Sequence, residues 1–324
     1  MVGLYPYLRT GLSWDEQFLL SAFTADAGDG EVVLHREQAA VLKLLLDGTN
    51  LALSAPTSFG KSFIVDAFIS IKRPSNVLII VPTLALADET RRRLHVKFGR
   101  RMKVITATAE EPSLDGNIFI FPQERAITYS AKVPELDLLI VDEFYKASRE
   151  FDRDRSAPLI RAILKFGAKS KQRYYLAPNI ASLGNSPFTE GMTFRRVDFN
   201  TVFLRKHETY REIGAGVEAK TNALLGILHR SPGKTLVYAG TYAAIKEVAT
   251  ALLDQLEKRS SDLLEQFHQW LVESYGPNWL LPRLMRRGVG VHNGQLHRSI
   301  SQLQVKLFEE SAGIQILLST SSII

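Results

Sequence analysis

The stretch Ala55-Pro56-Thr57-Ser58-Phe59-Gly60-Lys61-Ser62 constrains this chain more than any other. It follows a short apolar run, 50–54, and precedes a mostly apolar segment, 63–71, long enough for a helix. Strand, tight loop and helix together form the context that a phosphate-binding loop requires. Successive backbone N–H groups in such a loop converge on anionic oxygens, and the positive end of the following helix dipole adds to their field. In that geometry Lys61 reaches the β- and γ-phosphates of a nucleotide and the Ser62 hydroxyl meets Mg²⁺. The pattern G-x-x-x-x-G-K-[ST] opens on glycine, whereas Ala55 stands first here. Taken alone, a Gly-Lys-Ser surface turn is the competing reading.

The chain around this loop alternates. Ser13 and Glu16 are spaced as a capping box opening a helix to about Phe23, and 26–30 reads as a flexible break. A helix over 36–47 precedes the loop, with Gly48 as its stop. After it, apolar runs at 77–81, 104–106, 118–121, 136–141 and 173–177 read as strands, with helical stretches at 84–98 and 156–166. Such alternation predicts an α/β fold with a parallel sheet covered on both faces. The pattern weakens between Gly184 and Gly216 and then resumes. There a helix over 217–229, strands at 235–238, 288–291 and 314–318, and helices from 242 and over 296–309 are expected.

A second chemical element ends the run Leu138-Leu139-Ile140-Val141-Asp142-Glu143. Acids at the end of an apolar parallel strand project from the sheet's carboxyl edge, where ligands of such sheets sit. Asp142 is then placed to hold Mg²⁺, and Glu143 to orient or deprotonate a water. Two carboxylates in a solvated turn are the bland alternative; their pairing with the Lys61 loop in one alternating domain favours a P-loop nucleotide site.

Composition narrows the classes. A chain of 324 residues fits about two domains, and 45% apolar with 23% charged residues is ordinary globular composition. No run of about 18 apolar residues and no secretory pattern is present. Zero cysteines exclude disulfides and thiolate metal sites, which fits a cytoplasmic protein. The seven histidines, His292 and His297 included, lack a metal-ligand spacing. A net charge of +6 leans towards an anionic partner such as nucleic acid.

The order of motifs resembles a superfamily 2 helicase, nearer the Ski-like DExH group than the DEAD-box group. Gln38, seventeen residues before Ala55, stands where such proteins read adenine, and 55–62 matches helicase motif I. Residues 81–88 (VPTLALAD) resemble motif Ia, 121–125 (FPQER) the T-P-E-R element, and 142–145 (DEFY) motif II. Residues 234–240 (KTLVYAG) resemble motif IV, 288–294 (GVGVHNG) the G-V-x-x-H-H-x-G stretch, and 314–320 (IQILLST) the strand into motif V. The likeness covers roughly residues 31–324.

The resemblance implies two RecA-like (P-loop NTPase) parallel-sheet domains, the second incomplete. Their expected bounds are an N-terminal helix and linker at 1–30, an ATP-binding domain at 31–205, a linker at 206–216 and a partial C-terminal domain at 217–324. It implies ATP and Mg²⁺ as ligands, and DNA or RNA gripped through its backbone by Pro82, Thr83, Gln123, Arg125 and Thr320. No membrane is implied. Tyr145 departs from the family's His or Asp, and Ala177-Pro178-Asn179 replaces the hydroxyl-bearing motif III. The matched sequence stops before motif VI, the source of the family's arginine finger. A truncated product with a loosely folded second half and little stimulated turnover is therefore expected, a partner protein or C-terminal region completing it. The basic clusters 91–93, 100–103, 169–171 and 286–287 read first as solvated faces, and Phe63 and Phe68 as core. Three alternatives stay open: an ATP- and nucleic-acid-binding module without turnover, a P-loop enzyme such as a small-molecule kinase, and a bacterial antiphage helicase of the kind that includes the Hachiman defence helicase.

Overall fold

The structure, a computed structural model, describes residues 5–7, 13–198, 205, 207–214, 216–231, 233–259 and 261–320. The chain's last four residues, 321–324, and parts of the 1–30 and 206–216 segments lie outside the described residues. The chain divides into two compact units, Met1–Leu204 and Arg205–Ile324.

The first unit runs α1 (Trp14–Ala22), β1 (Thr24–Asp26), β2 (Glu31–Val33), α2 (Arg36–Leu46), β3 (Leu51–Ser54), α3 (Lys61–Lys72), β4 (Asn76–Ile80) and α4 (Leu84–Phe98). It continues through β5 (Lys103–Ile105), β6 (Asn117–Phe121), α5 (Gln123–Tyr129), β7 (Leu136–Val141), α6 (Ser156–Gly167), β8 (Ser170–Ala177) and β9 (Thr193–Arg196). The seven strands β3 to β9 form one sheet in the order β5-β6-β4-β7-β8-β3-β9. Every pairing in it is parallel.

The continuous apolar runs follow from burial on both faces. Alternate residues of one strand enter different cores. Val77, Ile79, Leu138 and Ile140 pack with α2, α3 and α4, whereas Leu78, Ile80, Leu139 and Val141 pack with α5 and α6. Such a sheet has no solvated face to mark with polar residues, so period-two alternation is absent from its sequence.

Two pieces differ from expectation. The break at 26–30 is the turn of an antiparallel β1–β2 hairpin, closed by Ala27 N–H on the Gly30 carbonyl at 2.9 Å. Gly28 sits there at φ +93°, and a Cβ on it would meet the Phe98 ring at 2.5 Å. The weak stretch after 184 contains β9, an edge strand pairing only with β3 among the described strands. Its sequence, Thr193-Phe194-Arg195-Arg196, carries polar residues because an edge strand is half solvated.

A charged network ties three of these elements together. Asp66 of α3 is 1% exposed and accepts from Arg93 of α4; Lys97 of α4 lies 3.1 Å from the same carboxylate. Lys97 also bridges to Asp29 of the hairpin turn at 2.8 Å. The basic clusters are similarly engaged. Arg91 and Arg92 meet Asp88, Lys171 meets Asp137, Arg286 meets Glu265, and Arg101 and Arg287 donate to backbone carbonyls.

The second unit contains α7 (Val217–Arg230), β10 (Thr235–Tyr238), α8 (Tyr242–Gln255), α9 (Asp262–Tyr275), α10 (Leu280–Met285), β11 (Val289–His292), α11 (Arg298–Glu309) and β12 (Ile316–Ser319). Its parallel sheet has the order β10-β12-β11, with the apolar β12 in the middle. It has a core of its own, in which Leu252, Leu271, Leu284, Val289 and Leu317 are buried. Among the described residues no helix is long and apolar enough to cross a membrane.

Removing Asp66 leaves two cations facing a buried gap. Asp66→Ala is expected to lower unfolding stability by about 3 kcal/mol, the lower end for breaking a buried pair, because Arg93 is partly solvated. Urea unfolding measures it; a loss under about 1 kcal/mol would show that the network adds little.

Candidate nucleotide-binding site

Because all seven strands of the larger sheet run one way, the segments that follow β3, β4, β6, β7 and β8 open on the same carboxyl edge. The loop after β3 makes one 3₁₀ turn at Thr57–Phe59 and reaches α3 through Gly60. Ala55, Pro56 and Phe59 are buried, while Thr57, Ser58 and Ser62 are exposed. Gly60 lies in the left-handed region at φ +74°, ψ 40°. A Cβ there would meet Gln38 Nε2 at 2.6 Å and the Phe63 ring at 3.0 Å, so only glycine fits both the backbone and the space.

Gln38 is 6% exposed and works on the loop. Its Nε2 donates to the Phe59 carbonyl at 2.8 Å, and its Oε1 accepts the His35 N–H at 3.0 Å. The His35 ring returns the contact, Nδ1 accepting from Gln38 N–H at 3.3 Å. This reciprocal cap starts α2 and fixes the loop from behind.

Lys61, the first residue of α3, turns back over the loop. Its Nζ donates to the carbonyls of Ala55 at 2.9 Å and Pro56 at 3.3 Å. Burial lowers its pKa, and the charges of Asp142 and Glu143 oppose that shift. Asp142 caps β7: its N–H donates to the Ile80 carbonyl and its Oδ1 accepts the Glu143 N–H, both at 2.9 Å. Burial and the neighbouring Glu143 raise its pKa, with Lys61 acting against them. Glu143 has a left-handed backbone, φ +50° and ψ 41°, and its carboxylate pairs with Lys146. The strand between β3 and β7 is β8, whose last carbonyl, Ala177 O, accepts the Ala55 N–H at 3.0 Å. The structure thus brings Gln38, the 55–62 loop, Asp142 and Glu143 together. The half-buried Asp142 carboxylate and the exposed Ser62 hydroxyl at the start of α3 are hard oxygen donors of the kind that suit a divalent cation completed by phosphate oxygens and water.

Further along the edge, Thr83 caps α4, its Oγ1 accepting from Leu86 N–H at 3.2 Å. The Pro82 carbonyl accepts from Arg155 at 2.7 Å, and Arg155 also forks onto both carboxylate oxygens of Glu124 at 2.9 and 3.0 Å. Residues 123–125 open α5 rather than form a free turn. Gln123 is 4% exposed there, so its side chain faces the core; Arg125 is exposed. Thr320 belongs to the second unit, following β12, with its N–H 3.4 Å from the His292 carbonyl. Sequence reasoning missed Arg155 and Lys146, which carry no motif of their own. It also misread Phe63, which is 44% exposed on the first turn of α3; Phe68 is core. Among the described residues no group of three His, Cys, Asp or Glu side chains forms a metal cluster.

Comparisons with known proteins bear on this edge. A family model described as DEAD/DEAH box helicase matches residues 35–177, from the residue that caps α2 to the end of β8. The chain is similar to Anti-bacteriophage protein B of Escherichia coli (strain K12), at 33% identity over 99% of this chain and 45% of that protein. It therefore spans about half of that relative's length. Its fold is similar to that in the crystal structure of the DUF1998 helicase MrfA bound to DNA, with a TM-score of 0.57 and 15% identity over 96% of this chain and 45% of that one.

Gly60→Ala is expected to cost about 1–2 kcal/mol for the left-handed backbone alone. By driving Gln38 off the Phe59 carbonyl it should also weaken ADP binding. Unfolding curves and equilibrium dialysis read the two effects separately; unchanged dialysis would detach the loop's shape from nucleotide affinity.

Proposed function

From the premise that this chain carries a DEAD/DEAH box helicase domain over residues 35–177, we propose that it binds ATP on the 55–62 loop and couples ATP hydrolysis to movement on, or remodelling of, DNA or RNA. The observation that carries this reading is geometric: a half-buried ammonium, Lys61, turns back over a glycine-formed loop beside two carboxylates, Asp142 and Glu143, whose charges act on it. In this reading Lys61 exchanges its two backbone carbonyls for phosphate oxygens, a charge-assisted contact stronger than the one it gives up. The N–H groups of the loop and of the start of α3 face the same anion. Ser62 and Asp142 would hold Mg²⁺, which would supply charge neutralisation to the nucleotide's phosphates. Glu143, released from Lys146, accepts the proton of an attacking water. Pro82, Thr83 and Arg125 line the same edge and grip nucleic-acid phosphates without reading bases. The DNA in the MrfA complex and the name of the bacterial relative support a nucleic-acid partner and a role in antiphage defence.

One observation favours a second reading, binding without turnover: in this structure Glu143 is paired to Lys146 and Lys61 to the loop itself. Turnover separates the two. Lys61→Ala is expected to abolish ATP binding. Glu143→Gln should bind ATP as the unsubstituted protein does and lose about 10²–10⁴ in hydrolysis. A protein that binds ATP and nucleic acid but never hydrolyses supports the binding module, and normal hydrolysis by Glu143→Gln removes that residue from the chemistry. Nucleic-acid affinity should fall steeply with salt as counterions are released; a flat response contradicts backbone contact. In bacteria expressing the natural gene, phage plating should be reduced, and Lys61→Ala should restore it; equal plating with both would remove the defence role.

A further inference from the structure

The second unit holds a cavity of about 610 Å³ walled by the start of α8, the start of α10 and the connection from β11 to α11. It opens at the carboxyl end of that unit's parallel strands. Its floor is apolar, with Leu281 and Val291 buried. Two aromatic rings, Tyr242 and Trp279, form its walls; Tyr242 is 46% exposed and Trp279 is half-buried. The connection approaches Tyr242 closely, since a Cβ on Gly294 would lie 3.3 Å from the phenol oxygen.

The polar groups at the rim are few and specific. Asn293 Oδ1 accepts the N–H groups of Gln295 at 3.0 Å and Leu296 at 3.2 Å. That fixes the amide and, among the described residues, leaves its NH₂ for a ligand acceptor. Lys246, one turn along α8, is exposed, and among the described residues no carboxylate pairs with it. This sets it apart from the arginines and lysines of the basic clusters that meet acids or carbonyls. Flat aromatic walls, one amide donor and one unneutralised cation match, in turn, the π-face, edge acceptor and phosphate of a nucleotide. The volume lies in the range of sites for ligands of that size.

We propose that this cavity is a stacking site for one unpaired base of a single-stranded polynucleotide, with Tyr242 and Trp279 as the platform and Lys246 on the adjoining phosphate. The inference rests on the nucleic-acid reading above and deepens it. Backbone contacts alone are indifferent to whether bases are present, whereas stacking is not. Aromatic platforms tolerate any base, so the site gives strand grip without sequence preference. It also selects single strands, because a paired base shows no free face.

The test uses the whole chain, a single-stranded DNA oligonucleotide and the same strand made abasic throughout. The abasic strand should bind the unsubstituted protein about ten-fold or more weakly, the range expected for one stacked base. Tyr242→Ala and Trp279→Ala should each weaken binding of the normal strand about as much and leave the abasic strand unchanged. Lys246→Ala should weaken both strands. Trp279 also precedes α10 directly, so unfolding curves accompany each variant, and the exposed Tyr242 decides the matter if Trp279→Ala destabilises the chain. Equal binding of both strands by the unsubstituted protein, or a Tyr242→Ala loss equal on both, overturns the stacking site and leaves the helicase reading intact. No binding of either strand overturns both. Saturation of the cavity by free thymidine monophosphate in a Trp fluorescence titration without displacement of the bound strand would assign the site to a mononucleotide and overturn the strand as its occupant; displacement at that concentration supports it.

Discussion

A sheet whose strands all run in one direction gathers the ends of those strands along a single line, and most of the first unit depends on that constraint. Neighbouring strands lie about 4.8 Å apart, so β3 and β7, separated only by β8, present their ends roughly 10 Å from one another. Crossovers then cover both faces with helices, which is why the central strands are apolar on both sides over most of their length, and why β8 is so only at its buried end, 174–177, beyond Lys171, Gln172 and Arg173. The 77–81 and 136–141 runs, and the placing of Lys61 opposite Asp142, are consequences of one architectural choice.

Most of the first unit's regular elements are legible in the sequence for the same reason. A strand buried on two faces reads as a short apolar run, and 77–80 of β4, 118–121 of β6 and 138–141 of β7 do; Asp137 interrupts β7 where it accepts the N–H groups of Ser75 and Asn76. The loop is legible because Gly-Lys-Ser between an apolar strand and a helix is a distinctive pattern, and at Gly60 the left-handed backbone and the closeness of Gln38 and Phe63 admit only glycine. What escapes has less stringent physics behind it. The β1–β2 hairpin is only three residues per strand and turns on Gly28 and Gly30, so its composition is that of a loop. The edge strand β9 has one neighbour and one solvated side, and Arg195 answers to Glu37 at 2.8 Å rather than to a core. Gln123 looks like a surface residue until the helix that starts there turns it inward.

The site residues divide in the same way. Motif residues announce themselves; the groups that hold them do not. Gln38 is visible by its spacing to the loop, yet its contacts, a cap on α2 and a latch on Phe59, emerge only in three dimensions. Arg155 has no signature at all. It is the first residue before α6, and its guanidinium joins the ends of β4 and β6 by gripping Pro82 and Glu124. The basic clusters, read in the sequence as solvated faces, turn out to be partly paired: Arg93, Arg91 and Arg92, Lys171 and Arg286 meet Asp66, Asp88, Asp137 and Glu265 respectively. The net charge of +6 already subtracts those acids; what the pairing decides is which cations remain unneutralised, not how many the balance leaves.

Glu143 carries one more implication. Its left-handed backbone disfavours a side chain with a Cβ by about 1–2 kcal/mol, a strain that glycine or asparagine at that position would relieve. Stability alone would thus push position 143 away from glutamate. A glutamate at such a turn stands against that thermodynamic gradient, held there by its N–H on the Asp142 carboxylate and by its pair with Lys146. Glu143→Gly would accordingly leave a sturdier turn while removing the carboxylate that pairs with Lys146.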